Sequence, residues 1–585
     1  MQVVNKKYEQ RAVNNALNKI TLYPARSIIY DRNGKLLVYN IAIYDLLVFP
    51  KEVKGLDTVE FCSILGINRE SFLEHMKMAI TNSQKRQKNN AYNKSAVFIS
   101  NLSKTQYAAL QENLYRFNGF YIEAKTDRLY AVKGGAHVLG YLGEISEKNL
   151  KADATYYRPG DLVGITGIER TYEPFIRGTK GIRTVWQDRT YVERGVVKDN
   201  EFNYPAESGP DIFSSLDFDL QEFGERLLTN KRGSIVAIDP SNGEILALVN
   251  KPDYDPNLLV GESRTMAFRQ LILDPRKPLY NRAIKGTYPP GSTFKTVMAC
   301  IGLQEGILQP QTLHSCFGGY HLGSLTVGCH PHGSPLDLKG AITISCNAYF
   351  CQVFRDIIDN PGYSNVKAGY ASLEKHLRSF GLGSPLGVDL PGEGGGNVPT
   401  IKQLDKRHGK SWKSSMIISL AIGQGEILLT PLQMANCAAI IANRGYFFTP
   451  HLVRGIGLDK KIPEQYRTKH YTTIDTSQFA KVIAGMAEVT KPGGTAWGTG
   501  IPTIEICGKT GTAQNPHGKD HSLFIAFAPR YNPKIAIAVI IENGGYGATW
   551  AAPISNVMIE HYLTKGKKSE AQYLIDQMLK GIVDQ

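Results

Sequence analysis

The chain carries two kinds of hydrophobic pattern in succession. In the first part, residues 10–22 space their apolar side chains at helical period and predict a short amphipathic helix. Residues 27–49 hold apolar runs on either side of Asn33-Gly34, which predicts two strands around a tight turn. Residues 67–90 are polar and basic with helical spacing, and residues 104–118 predict another helix. The stretch 133–215 mixes short strands with glycine-rich turns such as Gly164-Ile165-Thr166-Gly167. Around 205–215 a turn-rich break, Pro205-Ala206-Glu207-Ser208-Gly209-Pro210, suggests a domain boundary near residue 215.

Beyond the break the pattern changes. Residues 233–250 alternate well and predict a hairpin closed by Ser241-Asn242-Gly243. A helix is expected after Pro289-Pro290-Gly291, two helical stretches in 415–445 around Thr430-Pro431, two strands in 503–543 and a helix over 551–563. This predicts an α+β chain. An N-terminal, extended α+β domain over 1–215 precedes a domain over 216–585, built as an antiparallel sheet with helices and a helical cluster inserted between its strands.

Composition narrows the class. A length of 585 residues allows two to four domains at ~100–200 residues each. With 42% apolar and 21% charged residues the chain is globular, so disordered, collagenous and small disulfide-built classes are excluded. The charge of +14, from 67 Lys and Arg against 53 Asp and Glu, is spread widely and suits an anionic surface such as a membrane or an acidic polymer. No motif points to nucleic acid. No run of 18 apolar residues exists, the longest being Ile535 to Ile541, and Met1 to Tyr8 contain no apolar signal core. The chain is therefore expected to be either cytosolic or an ectodomain without its targeting segment.

Three short motifs carry candidate chemistry. Ser292-Thr293-Phe294-Lys295 opens a predicted helix, where positions i and i+3 share a face and free N–H groups favour developing negative charge. A serine needs a base to become a nucleophile, and a lysine serves when burial or a nearby cation lowers its pKa. Ser345-Cys346-Asn347 offers a hydroxyl relay and an amide clamp. Lys509-Thr510-Gly511-Thr512 sits at a predicted strand: Lys509 suits a carboxylate, Thr510 and Thr512 can hydrogen-bond it, Gly511 admits a close substrate backbone, and a main-chain N–H can face an oxyanion. Each motif alone is common: an N-cap serine, a turn, an edge strand with a solvated lysine. Their order and context together are specific.

In that order, the three motifs resemble the signature of penicillin-binding proteins and class A β-lactamases. Further stretches resemble the class B penicillin-binding proteins, in their elongation-type branch: Arg26-Ser27-Ile28-Ile29-Tyr30-Asp31-Arg32-Asn33-Gly34, Ala136-His137-Val138-Leu139-Gly140-Tyr141, Gly164 to Glu169, Asp217 with Leu220-Gln221, Asn281-Arg282-Ala283, and Gly423-Gln424-Gly425 leading to Thr430-Pro431-Leu432-Gln433. The resemblance implies a non-catalytic pedestal of dimerisation type followed by a transpeptidase domain. It implies D,D-transpeptidation that cross-links peptidoglycan stem peptides ending in D-Ala-D-Ala during cell-wall elongation, through a serine acyl-enzyme that β-lactams also form. Carried onto this chain, it makes Ser292 the nucleophile and Lys295 its base, Ser345 the relay to the leaving amine and Asn347 the clamp on substrate and Lys295. Lys509, Thr510 and Thr512 take the terminal carboxylate beside Gly511, and the N–H groups of Ser292 and Thr512 form the oxyanion hole. No cofactor is implied for catalysis. The implied partners are stem peptides, β-lactams and a SEDS-family glycosyltransferase. The implied location is the periplasmic face of the bacterial inner membrane, through a single transmembrane helix that would precede the pedestal start at residues 8–32 and is absent from this sequence.

Thiols and imidazoles crowd between Cys316 and Cys346 at a density that suits tetrahedral zinc. Some members of the resembled branch carry a structural zinc beside the active site, with a ligand at the middle of the Ser-x-Asn motif, the position of Cys346. The ligand set expected is Cys316, Cys329, His332 and Cys346, with His330 and then His321 as rivals for the histidine. A Cys316–Cys329 disulfide or plain buried thiols are the alternatives. Cys62, Cys300, Cys351, Cys437 and Cys507 are read as packing residues. Two other functions share these motifs. A β-lactam hydrolase or sensor on the same fold lacks a long pedestal, and a scaffold that activates a membrane glycosyltransferase is compatible with the transpeptidase.

Overall fold

In the computed structural model, residues 17–86, 95–187, 193–197, 203–261, 263–459 and 462–583 are described. The N-terminal region is built on strands β1 Leu17–Leu22, β2 Ile29–Tyr30, β3 Leu36–Val48, β4 Ala96–Ile99 and β5 Phe120–Tyr130, with helices α1 Thr58–Leu65, α2 Arg69–Arg86 and α3 Lys104–Asn113. β2 and β3 are the expected pair, and β3 runs on against β5 from Val38–Tyr130 to Val48–Phe120. The helices cover the distal end of this sheet around Phe61, whose ring lies 4.4 Å from Phe120 and 5.0 Å from Phe117.

Residues 17–22 form a strand, not the end of a helix. They pair antiparallel with β8, Gly181–Gln187, and put Ile20 and Leu22 inward while Lys19 and Thr21 face out. A partner so distant in sequence is invisible to a local pattern. Residues 10–16 of that expected helix, and 87–90 of the second, lie outside the described residues. Between β5 and β8 lie β6 Leu142–Glu144 and β7 Leu162–Gly164 with four short helices that glycine-rich sequence did not suggest. After β9 Glu193–Val196, strand β10 Ile212–Ser214 joins β2 in parallel, and the strand Val453–Ile456 pairs with its other edge. The far part of the chain thus contributes a strand to the N-terminal sheet.

The second region centres on a five-stranded antiparallel sheet. α4 Phe218–Leu227 leads to β11 Gly233–Ile238 and β12 Ile245–Lys251, the expected hairpin. Gly243 closes its turn at φ +82°, and a Cβ there would lie 2.8 Å from Phe448 Cβ. α5 Lys295–Gln304 follows, then β13 Gly319–Leu322 and β14 Leu325–Gly328 as a separate hairpin, then α6 Leu338–Thr343, α7 Asn347–Ile358, α8 Val366–Ser379 and α9 Pro431–Ala442. β15 Tyr446–Phe448 pairs with β17 Lys469–Tyr471, flanking β16 Val453–Ile456, and α10 Thr476–Met486 completes the insertion. Residues 503–543 then supply three strands rather than two: β18 Cys507–Ala513, β19 His521–Ala528 and β20 Ile535–Ile541. The sheet order is β12-β11-β20-β19-β18.

These strands are covered on both faces. Ile235, Ala237, Ile537 and Val539 pack under α4, α11 Ala551–Thr564 and α12 Gln572–Lys580, while Val236, Ile238, Ala538 and Ile540 face α9. Burial on both sides removes the polar alternation that marks a half-exposed strand, so the continuous apolar run of β20 is its natural sequence. The insertion packs through α9 on one face of the sheet, and the turn that precedes α5 lies against β18.

Candidate active site

Ser292 lies in a 3-10 turn, Gly291–Phe294, that feeds directly into α5. The turn is seated by Gly291 N–H donating to Gly423 O at 2.9 Å and by the Thr293 hydroxyl donating to Pro290 O at 2.6 Å. Ser292 is half-buried, whereas Lys295, one turn on, is 0% exposed.

The second motif occupies the turn between α6 and α7. Ser345 has φ +62°, a left-handed conformation that costs a residue with a β-carbon about 1–2 kcal/mol. The turn aims its carbonyl at Lys295. Lys295 Nζ donates to Ser345 O at 2.7 Å, to Ser345 Oγ at 3.2 Å and to Asn347 Oδ1 at 2.5 Å. Asn347 is held from its other side, where Nδ2 donates to Gly328 O at 2.7 Å, so the tip of β14 fixes the clamp.

The third motif lies on β18, the edge strand of the main sheet. Lys509 is 0% exposed and donates to Thr510 O at 3.2 Å. Thr510 Oγ1 lies 2.7 Å from Thr495 Oγ1, and Thr512 O accepts from Gln424 Nε2 at 3.0 Å. At Gly511 a Cβ would stand 2.8 Å from Thr293 Cγ2, so the absence of a side chain lets β18 lie against the serine turn. The segments bearing Ser292, Lys295, Ser345, Asn347, Lys509, Thr510, Gly511 and Thr512 therefore gather at one site, the candidate groove: Lys295 bonds Ser345 and Asn347, its charge reaches Lys509, and Gly511 lies against Thr293 of the serine turn.

Burial drives the electrostatics. It brings Lys295 down to about 8, with the nearby thiols Cys329, Cys351 and Cys346 opposing. Burial, reinforced by the charge of Lys295, holds Lys509 well below its ordinary value. Among the described residues no carboxylate stands among the groups that act on either lysine. A neutral Lys295 has two N–H donors and one lone pair. With the donors on Ser345 O and Asn347 Oδ1, the lone pair remains for a hydroxyl proton.

The expected metal ligands converge beside this groove. One donor atom each from Cys316, Cys329, His332 and Cys346 lies within 4.8 Å of all the others. His332 Nδ1 meets Gly333 O at 2.7 Å, which turns Nε2 inward to 3.2 Å from Cys329 Sγ. Cys329 Sγ also accepts from Asn347 N–H at 3.2 Å, and Cys346 caps α7. The Cys346 thiol, with the Asn347 amide and His332, draws the Cys329 thiol below its ordinary pKa against the pull of burial, and Cys346 is pushed up in turn. His321 instead meets Thr326 Oγ1 and Phe317 O, and His330 packs against His332. All eight cysteines are free thiols, and the five outside this cluster are buried.

Three contributors escaped sequence reasoning. Thr495 and Gly328 belong to no motif, and nothing local marks them. Gln424 stands in the Gly423-Gln424-Gly425 stretch, so its signal was present without a role attached.

Comparison with known proteins agrees with this architecture. Residues 233–560 match the family described as penicillin binding protein transpeptidase domain, and residues 21–213 match the penicillin-binding protein dimerisation domain. The peptidoglycan D,D-transpeptidase MrdA of Acinetobacter baumannii is 33% identical over 98% of this chain and 86% of its own length. Among solved structures, the penicillin-binding protein PBP2 of Helicobacter pylori in complex with MreC superposes with a TM-score of 0.77 at 27% identity, covering 94% of this chain and 100% of that one. PBP2 of Pseudomonas aeruginosa in complex with WCK 5153 gives 0.69 at 29% identity, covering 95% and 99%. With both matched regions in sequence and a groove assembled from all three motifs, the chain belongs to the penicillin-binding protein transpeptidases.

Proposed function

We propose that this protein is a serine D,D-transpeptidase that cross-links peptidoglycan stem peptides ending in D-Ala-D-Ala during cell-wall elongation. The observation that carries this reading is the buried, carboxylate-free Lys295, bonded to Ser345 and Asn347 one turn from Ser292. In the neutral form Lys295 takes the Ser292 proton as Oγ attacks the penultimate D-Ala carbonyl. The N–H groups of Ser292 and Thr512 hold the oxyanion. Ser345, which shares Lys295 Nζ, passes a proton to the departing D-Ala amine. Lys509, Thr510 and Thr512 hold the terminal carboxylate beside Gly511, and Asn347 orients the donor amide. An amine from a second stem then releases the acyl group. A β-lactam enters the same first step and forms an ester on Ser292.

The donor set of Cys316, Cys329, His332 and Cys346 fits zinc: three thiols and an inward imidazole nitrogen, already gathered. These four residues would hold the ion, and the ion would supply a structural cross-link. Through the Asn347 N–H and the cap on α7, the same cysteines position the Ser345–Asn347 turn. A domain division near residue 215, between pedestal and catalytic regions, follows the change from the β10 sheet to α4. The same reading carries a periplasmic location at the bacterial inner membrane and a SEDS-family glycosyltransferase as partner; the complex of Helicobacter pylori PBP2 with MreC supports a chain that works within an assembly.

The test is intact mass over time with benzylpenicillin. A long-lived adduct on Ser292, absent in Ser292→Ala, is expected. An adduct that disappears as the antibiotic is consumed would replace this reading with a hydrolase, and equal D-Ala release from a donor peptide by Ser292→Ala would end it.

A further inference from the structure

The groove has two walls, one carrying Ser345 and Asn347 and the other the β18 edge with Thr510. One segment touches both. Thr495 N–H donates to Thr343 O at 3.2 Å, two residues before Ser345, while Thr495 Oγ1 lies 2.7 Å from Thr510 Oγ1. The segment is anchored just beyond this crossing. Ala496 N–H donates to Val489 O at 2.9 Å, and the buried Asn556 on α11 donates to Thr499 O at 2.8 Å. Gly494 makes the crossing possible, because a Cβ there would sit 2.3 Å from Val489 O.

The backbone and the hydroxyl of Thr495 thus do separate work. The N–H ties the walls together. Among the described residues the hydroxyl meets only the hydroxyl of Thr510. A threonine hydroxyl has one proton to donate and can accept others. If Thr510 is to give its proton to a carboxylate, it must receive one from elsewhere or leave its lone pairs unmet. Thr495 is the group placed to supply it. Hydrogen bonds in such a chain strengthen each other where water is scarce.

We propose that Thr495 is a positioning residue for substrate-carboxylate recognition: its hydroxyl donates to Thr510 and so directs the Thr510 proton into the groove. This rests on the assignment of Thr510 to the terminal carboxylate made above. The role is one of orientation, and Thr495 itself does not touch the reacting atoms.

The experiment measures the second-order rate constant for benzylpenicillin acylation in wild type, Thr495→Val, Thr495→Ser, Thr510→Val and the Thr495→Val/Thr510→Val double variant, with the thermal midpoint of each. Valine keeps the shape and the backbone N–H of Thr495. Loss of one such hydrogen bond predicts about a tenfold fall for Thr495→Val. Thr495→Ser should recover most of the rate, and the double variant should be no slower than Thr510→Val alone. The penalty of Thr495→Val should be larger on benzylpenicillin than on its methyl ester, which presents no carboxylate. Additive losses in the double variant, equal penalties on acid and ester, or a Thr495→Val rate matching wild type would each overturn the inference while Ser292 acylation still upholds the transpeptidase reading. A wild-type chain that takes no acyl group on Ser292 would sink that reading and this inference with it.

Discussion

Two buried clusters of charge in this molecule follow opposite rules. In the pedestal, Arg26 meets Glu169 at 2.6 Å and Glu173 at 2.5 Å, and Arg128 meets Glu169 at 2.7 Å. Glu173 also accepts from Gly164 N–H at 2.9 Å. Burial alone would raise the Glu169 carboxyl, but Arg128 and Arg26 hold it below its ordinary value. In the groove, Lys295 and Lys509 are equally buried and, among the described residues, meet carbonyl and hydroxyl oxygens and, for Lys295, the Phe350 ring, but no carboxylate. Both are driven toward the neutral amine. The comparison teaches what a buried charge is for. A cluster with matched charges is a fixed structural joint, because removing one member strands the others. A buried lysine with no counter-charge loses a proton readily and becomes a base.

The sharpest way to break this contrast is to replace one group from each cluster. Lys295→Met is expected to lower the penicillin acylation rate by about 10³-fold or more with the fold retained, since the base is removed at its point of action. Retention of a tenth of wild-type acylation would show that Lys295 is not the base. Glu169→Gln should act the other way. It leaves Arg26 and Arg128 facing a neutral amide and is expected to cost about 3–5 kcal/mol of stability, read as a lower denaturant midpoint, with acylation near normal where the chain is folded.

Metal removal is next in size. Purified protein is expected to carry about one zinc per chain, and a chelator or Cys329→Ser to slow acylation by about tenfold through the loosened Ser345–Asn347 turn. Metal analysis finding far less than one zinc in protein prepared without chelator would remove the ion from the account.

Titration separates the clusters most gently. With Lys295 depressed to about 8, acylation should rise with pH as the neutral amine accumulates and level off above that value. A flat profile from pH 6 to 9 would contradict a lysine base. Glu169 carries the opposite dependence. Its folded-state pKa is lowered, so its contribution to stability is full above the ordinary carboxylate range and is lost as pH falls through the folded value. Denaturant midpoints of wild type and Glu169→Gln should therefore converge in acid.

Much of the catalytic region could be read from local sequence. The 233–250 hairpin carries its own turn signal in Asn242-Gly243, and the helix starts at Thr430-Pro431 and after Pro290-Gly291 are written in capping and proline chemistry. The gathering of Cys316, Cys329, His332 and Cys346 was legible because thiols and imidazoles crowd one short stretch. Less was legible where structure depends on distant partners. β1 needs β8, and β18 to β20 are buried on both faces, which erases the period that would have separated three strands from two.

The sequence by itself determined which side chains could do chemistry here: a serine and a lysine one helical turn apart, a Ser-x-Asn turn and a Lys-Thr-Gly strand, each set by spacing along a few residues of backbone. Only the tertiary structure decided that they share a groove, that burial without counter-charge turns Lys295 toward the neutral form, and that Thr495 bridges the two walls. The physical reason is range. Helical period and turn chemistry act over a handful of residues, whereas desolvation and the meeting of α6, α7 and β18 arise when segments far apart in the chain exclude water together.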